Sequence, residues 1–197
     1  MRETDGLGGA ASETATAQPA RRRRRRWLWA AAIAAALGGI GASAAYYSGP
    51  RTSGSTVERR EPAPQFVLPN LSTGQPDVDL AALAGGPVVL NFWASWCVPC
   101  RREMPAFEQV HEEFGEAVTF LGVNHQDTRD AAIALLAETG ITYSSGFDPA
   151  GDVAFDFGLY GMPTTVFIDR NGMIVAQHTG ELTRGDLRQS IRELFGV

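Results

Sequence analysis

The chain has 197 residues, of which 44% are hydrophobic, enough for one ordinary domain with a core and too apolar for wholesale disorder. The formal charge of −5 is unevenly divided: residues 1–60 carry ten arginines against four acids, and residues 61–197 carry seven against eighteen. An acidic body repels nucleic acid, so no nucleic-acid partner is expected and the basic end needs another explanation.

Residues 1–20 are small and polar with no periodic apolar face, and residues 1–26, ending in Arg21 to Arg26, read as a disordered cytoplasmic tail. Residues 27–47 (WLWAAAIAAALGGIGASAAYY) hold no charged group. As a helix they would span about 31 Å, the thickness of a bilayer's hydrocarbon core. Trp27 and Trp29 stand at one end and Tyr46 and Tyr47 at the other, where amphipathic rings prefer the interface. The arginines hold the N-terminal side in the cytoplasm. A retained single-pass signal anchor in the cell membrane is the favoured reading. A signal peptide cleaved after Ala42-Ser43-Ala44, releasing a secreted domain, is the alternative, and a buried soluble helix with a nucleic-acid arm is the bland one. Both membrane readings put the rest of the chain outside the cytoplasm. Residues 48–62 read as a polar tether, leaving a domain over residues 63–197.

Within that domain, QFVLP suits a short strand, and NLSTGQPDVDL a turn into a second short element. PVVLNFW is uncharged and rich in β-branched and aromatic residues, as a central strand buried on both faces would be. Helical spacing runs from Val98 to about Phe114 through Met104, Phe107 and Val110, with Gly115 as the expected stop. AVTFLGVN predicts a second buried strand, and Thr128 to Thr139 a second helix ended by Gly140. A short helix near Asp152–Phe157 precedes a hairpin of TTVFID and MIVAQHT turning at Arg170-Asn171-Gly172. Thr183 is placed to cap a last helix with Leu187, Ile191 and Leu194 on its apolar face. The order β-α-β-α-β-β-α predicts a three-layer α/β domain with a central mixed sheet flanked by helices.

The only cysteines, Cys97 and Cys100, lie in FWASWCVPCRREMP. Zinc needs about four ligands, and His111, His125 and His178 are scattered without ligand spacing, so no metal is expected and the histidines receive no role. A structural staple closing so short a loop would add little stability. The redox reading is favoured. A strand delivers Cys97 to a helix start, where unpaired N–H groups and the positive end of the dipole favour thiolate over thiol. Cys100, one turn on, is placed to resolve a mixed disulfide formed by Cys97. No other cysteine competes, and a location outside the cytoplasm permits the bond.

Trp96-Cys97-Val98-Pro99-Cys100, Pro105, and the distant Met162-Pro163-Thr164 resemble the active site of the thioredoxin fold. The stretch APQFVLPNLSTGQPDVDLAALAGGPVVLNFWASWCVPCRREMP resembles, more narrowly, the membrane-anchored TlpA/ResA/DsbE group of thiol–disulfide oxidoreductases, and the resemblance extends from about Ala63 to Leu194. It implies a thioredoxin-like fold without cofactor. It further implies a protein disulfide as substrate, often apocytochrome c before haem attachment in cytochrome c biogenesis, and electrons from a membrane-embedded thiol donor. A monomer is the default.

The resemblance makes Pro163 a cis proline facing the cysteine pair, with the Met162 backbone pairing with substrate; a trans proline opening a strand is the other reading. Trp96 packs the approach to the cysteines. Glu103 stands three residues after Cys100, a spacing that recurs in ResA-like members, and a partly buried carboxylate there would raise thiol pKa and carry a proton to Cys100. The competing reading is an acid near the helix start that faces water beside Arg101 and Arg102. Cytoplasmic thioredoxins resemble the strand but carry a buried aspartate where this chain has Asn91, which cannot titrate, leaving Glu103 or water as the base. Trp93 reads equally well as core, and Tyr160 could line the substrate groove, although an ordinary half-buried aromatic is the favoured reading. The tether, the Glu103 spacing and the sequence before the active site favour the reducing direction. The rivals are a disulfide-forming oxidase and a non-catalytic module that docks clients. A peroxiredoxin fits poorly, because Ala94-Ser95-Trp96-Cys97 lacks the Thr/Ser-x-x-Cys setting.

Overall fold

The computed structural model describes residues 54–197. Among these residues no helix is long and apolar enough to cross a membrane; the expected tail and anchor lie outside them. A mixed six-stranded sheet is built from β1 (Gly54–Pro62), β4 (Val88–Trp93), β5 (Thr119–His125), β6 (Ser145–Asp148), β7 (Thr164–Ile168) and β8 (Met173–Gly180), in the spatial order β1-β8-β7-β4-β5-β6. β4, β5 and β6 run parallel, and β7, β8 and β1 are added antiparallel. Two short strands, β2 (Val67–Leu68) and β3 (Val78–Asp79), pair separately. The helices are α1 (Val98–Phe114), α2 (Arg129–Thr139), α3 (Asp152–Asp156) and α4 (Arg184–Phe195).

β4 is buried along its whole length because it serves both faces. Val88, Leu90 and Phe92 pack with Phe66, Leu68 and the α3 residues Val153 and Ala154. Val89 on the other face packs with Phe107 and Val110 of α1 and Leu187 and Ile191 of α4. Trp93 joins Met104 of α1 and Ala132 and Leu135 of α2 in a third cluster that also contains both cysteines. Three layers result, as the alternation of strands and helices predicted.

The caps follow the sequence at most ends. Thr128 accepts the Ala131 N–H, Thr183 accepts the Asp186 N–H, and Gly140 ends α2 with φ +76°. Gly115 departs from the expected left-handed stop: its φ is −59°, and its N–H reaches His111 O in the right-handed region any residue adopts. The larger correction concerns the tether. Residues 54–62, read as linker, form edge strand β1, which pairs along β8 from Gly54↔Gly180 to Pro62↔Met173 with an irregularity between Glu58 and Glu61. Its stability comes from backbone hydrogen bonds, and Val57 remains 52% exposed, so no apolar alternation marks it. Proline is tolerated there because an edge strand has unpaired positions.

Candidate active site

β4 and β5 are parallel neighbours with Trp93 beside Asn124, so the loops leaving their carboxyl ends meet. The first loop carries Cys97 to the N-cap of α1, with φ −85° and ψ 102°, where its Sγ accepts the Cys100 N–H at 3.2 Å. Pro99 follows in the first turn, where a missing N–H costs nothing. Cys97 and Cys100 form a disulfide with Cα atoms 5.3 Å apart; Cys100 is fully buried and Cys97 nearly so.

The second loop pins the first. Asp127 accepts from the Ser95 N–H at 2.6 Å, the Ser95 hydroxyl at 2.7 Å, the Asn124 amide at 3.0 Å and the Thr128 N–H at 2.8 Å. Burial pushes the Asp127 carboxyl up, but these donors together hold it below the ordinary aspartate value. Trp96, 56% exposed, donates its indole N–H to Gln126 O at 3.1 Å. Gln126 holds φ +45°, sparsely populated for a residue with a side chain. Asp127, Asn124 and Gln126 were not singled out from sequence. The available signal was a run of polar residues at the carboxyl end of the strand parallel to the one that delivers the cysteines.

The Met162–Pro163 peptide is cis, as the resemblance implied, and Met162 packs against the cluster containing both cysteines. A groove of about 380 Å³ runs from Gln126 past Tyr160, Gly161 and Met162 to Phe155. Phe155 is 83% exposed and Tyr160 73%, so Tyr160 is a surface aromatic beside the groove and not the half-buried one expected. With Trp96 and Val98 they leave an apolar apron around a buried disulfide.

Glu103 faces inward, and the water-facing reading fails. It is 1% exposed; Oε1 accepts the Asn91 amide at 3.0 Å and Oε2 the Leu182 N–H at 3.0 Å. Arg101 and Arg102 instead turn outward to Glu138 and Glu181. Burial pushes the Glu103 carboxyl up to about 8, although both hydrogen bonds pull it down. Asn91, itself buried, therefore orients a titratable group that α1 supplies. Tyr143 nearby is held well above its ordinary value, first by burial and then by Glu103 and Glu108.

The Redoxin family profile matches residues 58–193. The chain belongs to this family. It is 36% identical over 137 residues to thiol:disulfide interchange protein DsbE of Escherichia coli, covering 68% of this chain and 72% of that one. It is 33% identical to thiol:disulfide interchange protein HelX of Rhodobacter capsulatus, covering 80% and 88%. The structure resembles that of a candidate DsbE from Chlorobium tepidum, with a TM-score of 0.64 and 33% identity over 70% of this chain and 97% of that one. A DsbF homologue from Corynebacterium diphtheriae gives 0.64 and 29% over 75% and 97%. Within the Redoxin family this chain is a thioredoxin-like thiol–disulfide oxidoreductase of the DsbE/ResA group.

Proposed function

We propose that this Redoxin-family chain reduces disulfides in client polypeptides outside the cytoplasm, and that apocytochrome c before haem attachment is the client. In this reading residues 27–47 anchor the chain in the cell membrane, a membrane-embedded thiol protein supplies electrons, and the chain works as a monomer. The observation that carries the reducing direction is the buried carboxyl of Glu103 one turn beyond Cys100. The same burial that keeps the Glu103 carboxyl neutral disfavours a thiolate at the buried Cys100, and stabilising thiolate is what makes a strong oxidant.

Cys97 is the nucleophile. Its thiolate attacks one sulfur of the client disulfide, the client S–S bond breaks, and the second client sulfur leaves with the electron pair and takes a proton. Cys100 then gives its proton to the ionised form of Glu103, which a carboxyl held at about 8 reaches as pH rises, and attacks the Cys97 sulfur. The Cys97–Cys100 bond forms, the client leaves with two thiols, and two electrons have passed to it. Trp96 and the groove beside Met162 and Pro163 hold the client strand, and the donor restores the dithiol by the reverse exchange.

The test is equilibration of the full-length chain in detergent against defined thiol buffers, read by Trp96 fluorescence. It is followed by turnover of a disulfide peptide bearing the Cys-x-x-Cys-His haem-attachment sequence. A potential near about −270 mV with rapid reduction of the peptide supports the proposal. A potential near about −120 mV makes the chain an electron acceptor and overturns it in favour of disulfide formation.

A further inference from the structure

The short helix α3 carries Asp152, Phe155 and Asp156, three and four residues apart and therefore neighbours on one helical face. All three are exposed. Phe155 lines the groove of about 380 Å³ together with Tyr160, and Ala154 and Leu159 add apolar lining between them. Two exposed rings beside an apolar channel are uncommon on a surface that meets only water. The groove is continuous with the cysteine site: Gln126 lines it and accepts the indole N–H of Trp96, the residue before Cys97. Met162 lines it too and packs against the cluster that holds both cysteines.

The charge at this groove is one-sided. Several acids elsewhere are matched, Glu138 by Arg101, Glu181 by Arg102, Glu113 by Arg188 and Glu61 by Arg59. Among the described residues no arginine forms a salt bridge with Asp152 or Asp156. Arg59 reaches the far side of Tyr160, in a neighbouring cavity of about 200 Å³, but its guanidinium is already engaged by Glu61 and by Gln177 Oε1. An aromatic channel edged by two unmatched carboxylates complements an apolar stem that ends in a cation.

We propose that this groove takes a lysine or arginine side chain of the client polypeptide, a few residues from the disulfide that Cys97 attacks. The inference rests on reading the chain as a reductase of polypeptide disulfides, and it adds which of them the chain selects. The methylene stem lies along Ala154 and Leu159, the charged head meets the rings of Phe155 and Tyr160, and the carboxylates of Asp152 and Asp156 supply its counter-charge. An acidic segment meets like charge at the same place, and so does an anionic lipid surface. A purely apolar side chain gains the contact area and leaves both carboxylates unmatched. No bond is made or broken in the groove; it sets how often a given disulfide is presented to Cys97.

The reduced full-length chain in nonionic detergent is mixed with disulfide-closed peptides of one sequence that carry lysine, norleucine or glutamate at a single position. That position is moved stepwise away from the disulfide on either side. At the best position lysine should raise kcat/KM about 2- to 5-fold over norleucine, and glutamate should lower it. The lysine preference should shrink in about 1 M salt, where charges are screened within about 3 Å. Asp152→Asn combined with Asp156→Asn should remove most of it, and Phe155→Leu, which keeps an apolar side chain without the ring, should reduce it. All three positions are exposed, so folding is not at stake. Glu112→Gln combined with Glu116→Gln removes two exposed charges at the far end of α1 and should leave the lysine-to-norleucine ratio at the parental value. An equal fall in that pair assigns the preference to net charge and overturns the groove. Equal kcat/KM for the three peptides, or a norleucine preference indifferent to salt, overturns it in favour of a plain apolar contact. If the peptides are all reduced alike, the reductase reading stands and the cation site falls; if none is reduced, both fall.

Discussion

Glu103→Gln should remove a loss of stability that the parent shows as pH rises. The carboxyl rises from 4.5 to about 8 on folding, so between those values the folded chain holds a proton that the unfolded chain has released. Stability contributed by the neutral acid is therefore complete below about pH 4.5 and is lost as pH rises through about 8. A displacement of roughly 3.5 pH units corresponds to about 5 kcal/mol at most, since each unit is about 1.4 kcal/mol. Glutamine mimics the neutral acid: its oxygen accepts the Leu182 N–H, and its NH₂ donates to Asn91 Oδ1 once that amide turns over. At pH 5 the variant should lie within about 1 kcal/mol of the parent, the scale of one altered hydrogen bond. At pH 9 it should be the more stable by several kcal/mol. Urea unfolding of the oxidised full-length chain in detergent, followed by tryptophan fluorescence at half-unit steps from pH 5 to 9, measures the difference. Parallel profiles for parent and variant across that range would refute a buried, proton-binding Glu103.

Cys100→Ser should trap the full-length chain as a mixed disulfide on Cys97, seen as a higher band on non-reducing gels, whereas Cys97→Ser should capture nothing. Asp127→Ala removes the acceptor of four hydrogen bonds and should cost about 1–3 kcal/mol in denaturant unfolding at pH 7. Because the folded carboxyl lies below its ordinary value, that contribution is present above about pH 4 and lost as pH falls through the folded pKa, so the variant and parent should converge in acid. Phe155→Ala and Tyr160→Ala should leave stability within about 0.5 kcal/mol, both being exposed. They should raise KM for a protein client while sparing a small disulfide, as steady-state assays with both substrates will show.

The four inner strands, the three long helices and the hairpin were legible because each has a continuous apolar run or a helical stripe bounded by a cap. The two edge strands were not. β1 is held by backbone bonds and by polar side chains, Thr56 to His178 and Arg59 to Gln177, and leaves Val57 in water, and β6 is four residues, Ser-Gly-Phe-Asp, too short and polar to show alternation. The cysteine pair and the cis proline were legible from motif and resemblance. Glu103's burial was half legible: it stands four residues before Phe107 and seven before Val110, on the stripe that α1 buries, but the flanking Arg101 and Arg102 suggested a wet face. His178 shows no ligand spacing to the other histidines, so its burial is read only from the strand pattern. Its position, two residues along β8 from buried Ala176, marked it as inward-facing.

The two sulfurs meet different surroundings along the first two turns of α1. Toward the carboxyl ends of β4 and β5, backbone N–H groups at the start of α1 receive the Cys97 sulfur, and the Asp127 clamp fixes the loop that brings it there. On the inward side, six residues later, an acid kept neutral by burial faces the sheet, with Asn91 and Leu182 as its donors. A thiolate is thus favoured where a client arrives and disfavoured where the chain must hold its second proton. Cytoplasmic thioredoxins place their titrating carboxylate on the strand. Here the strand keeps the neutral amide and the helix carries the acid, so the group that titrates is fixed in sequence to the helical turn that bears Cys100. A helix turn holds residues i and i+3 in a constant relation whatever the sheet does. On the proposed mechanism that makes Glu103 a partner of Cys100 more than of Cys97, and it is the step in which Cys100 attacks that variants of Glu103 should report.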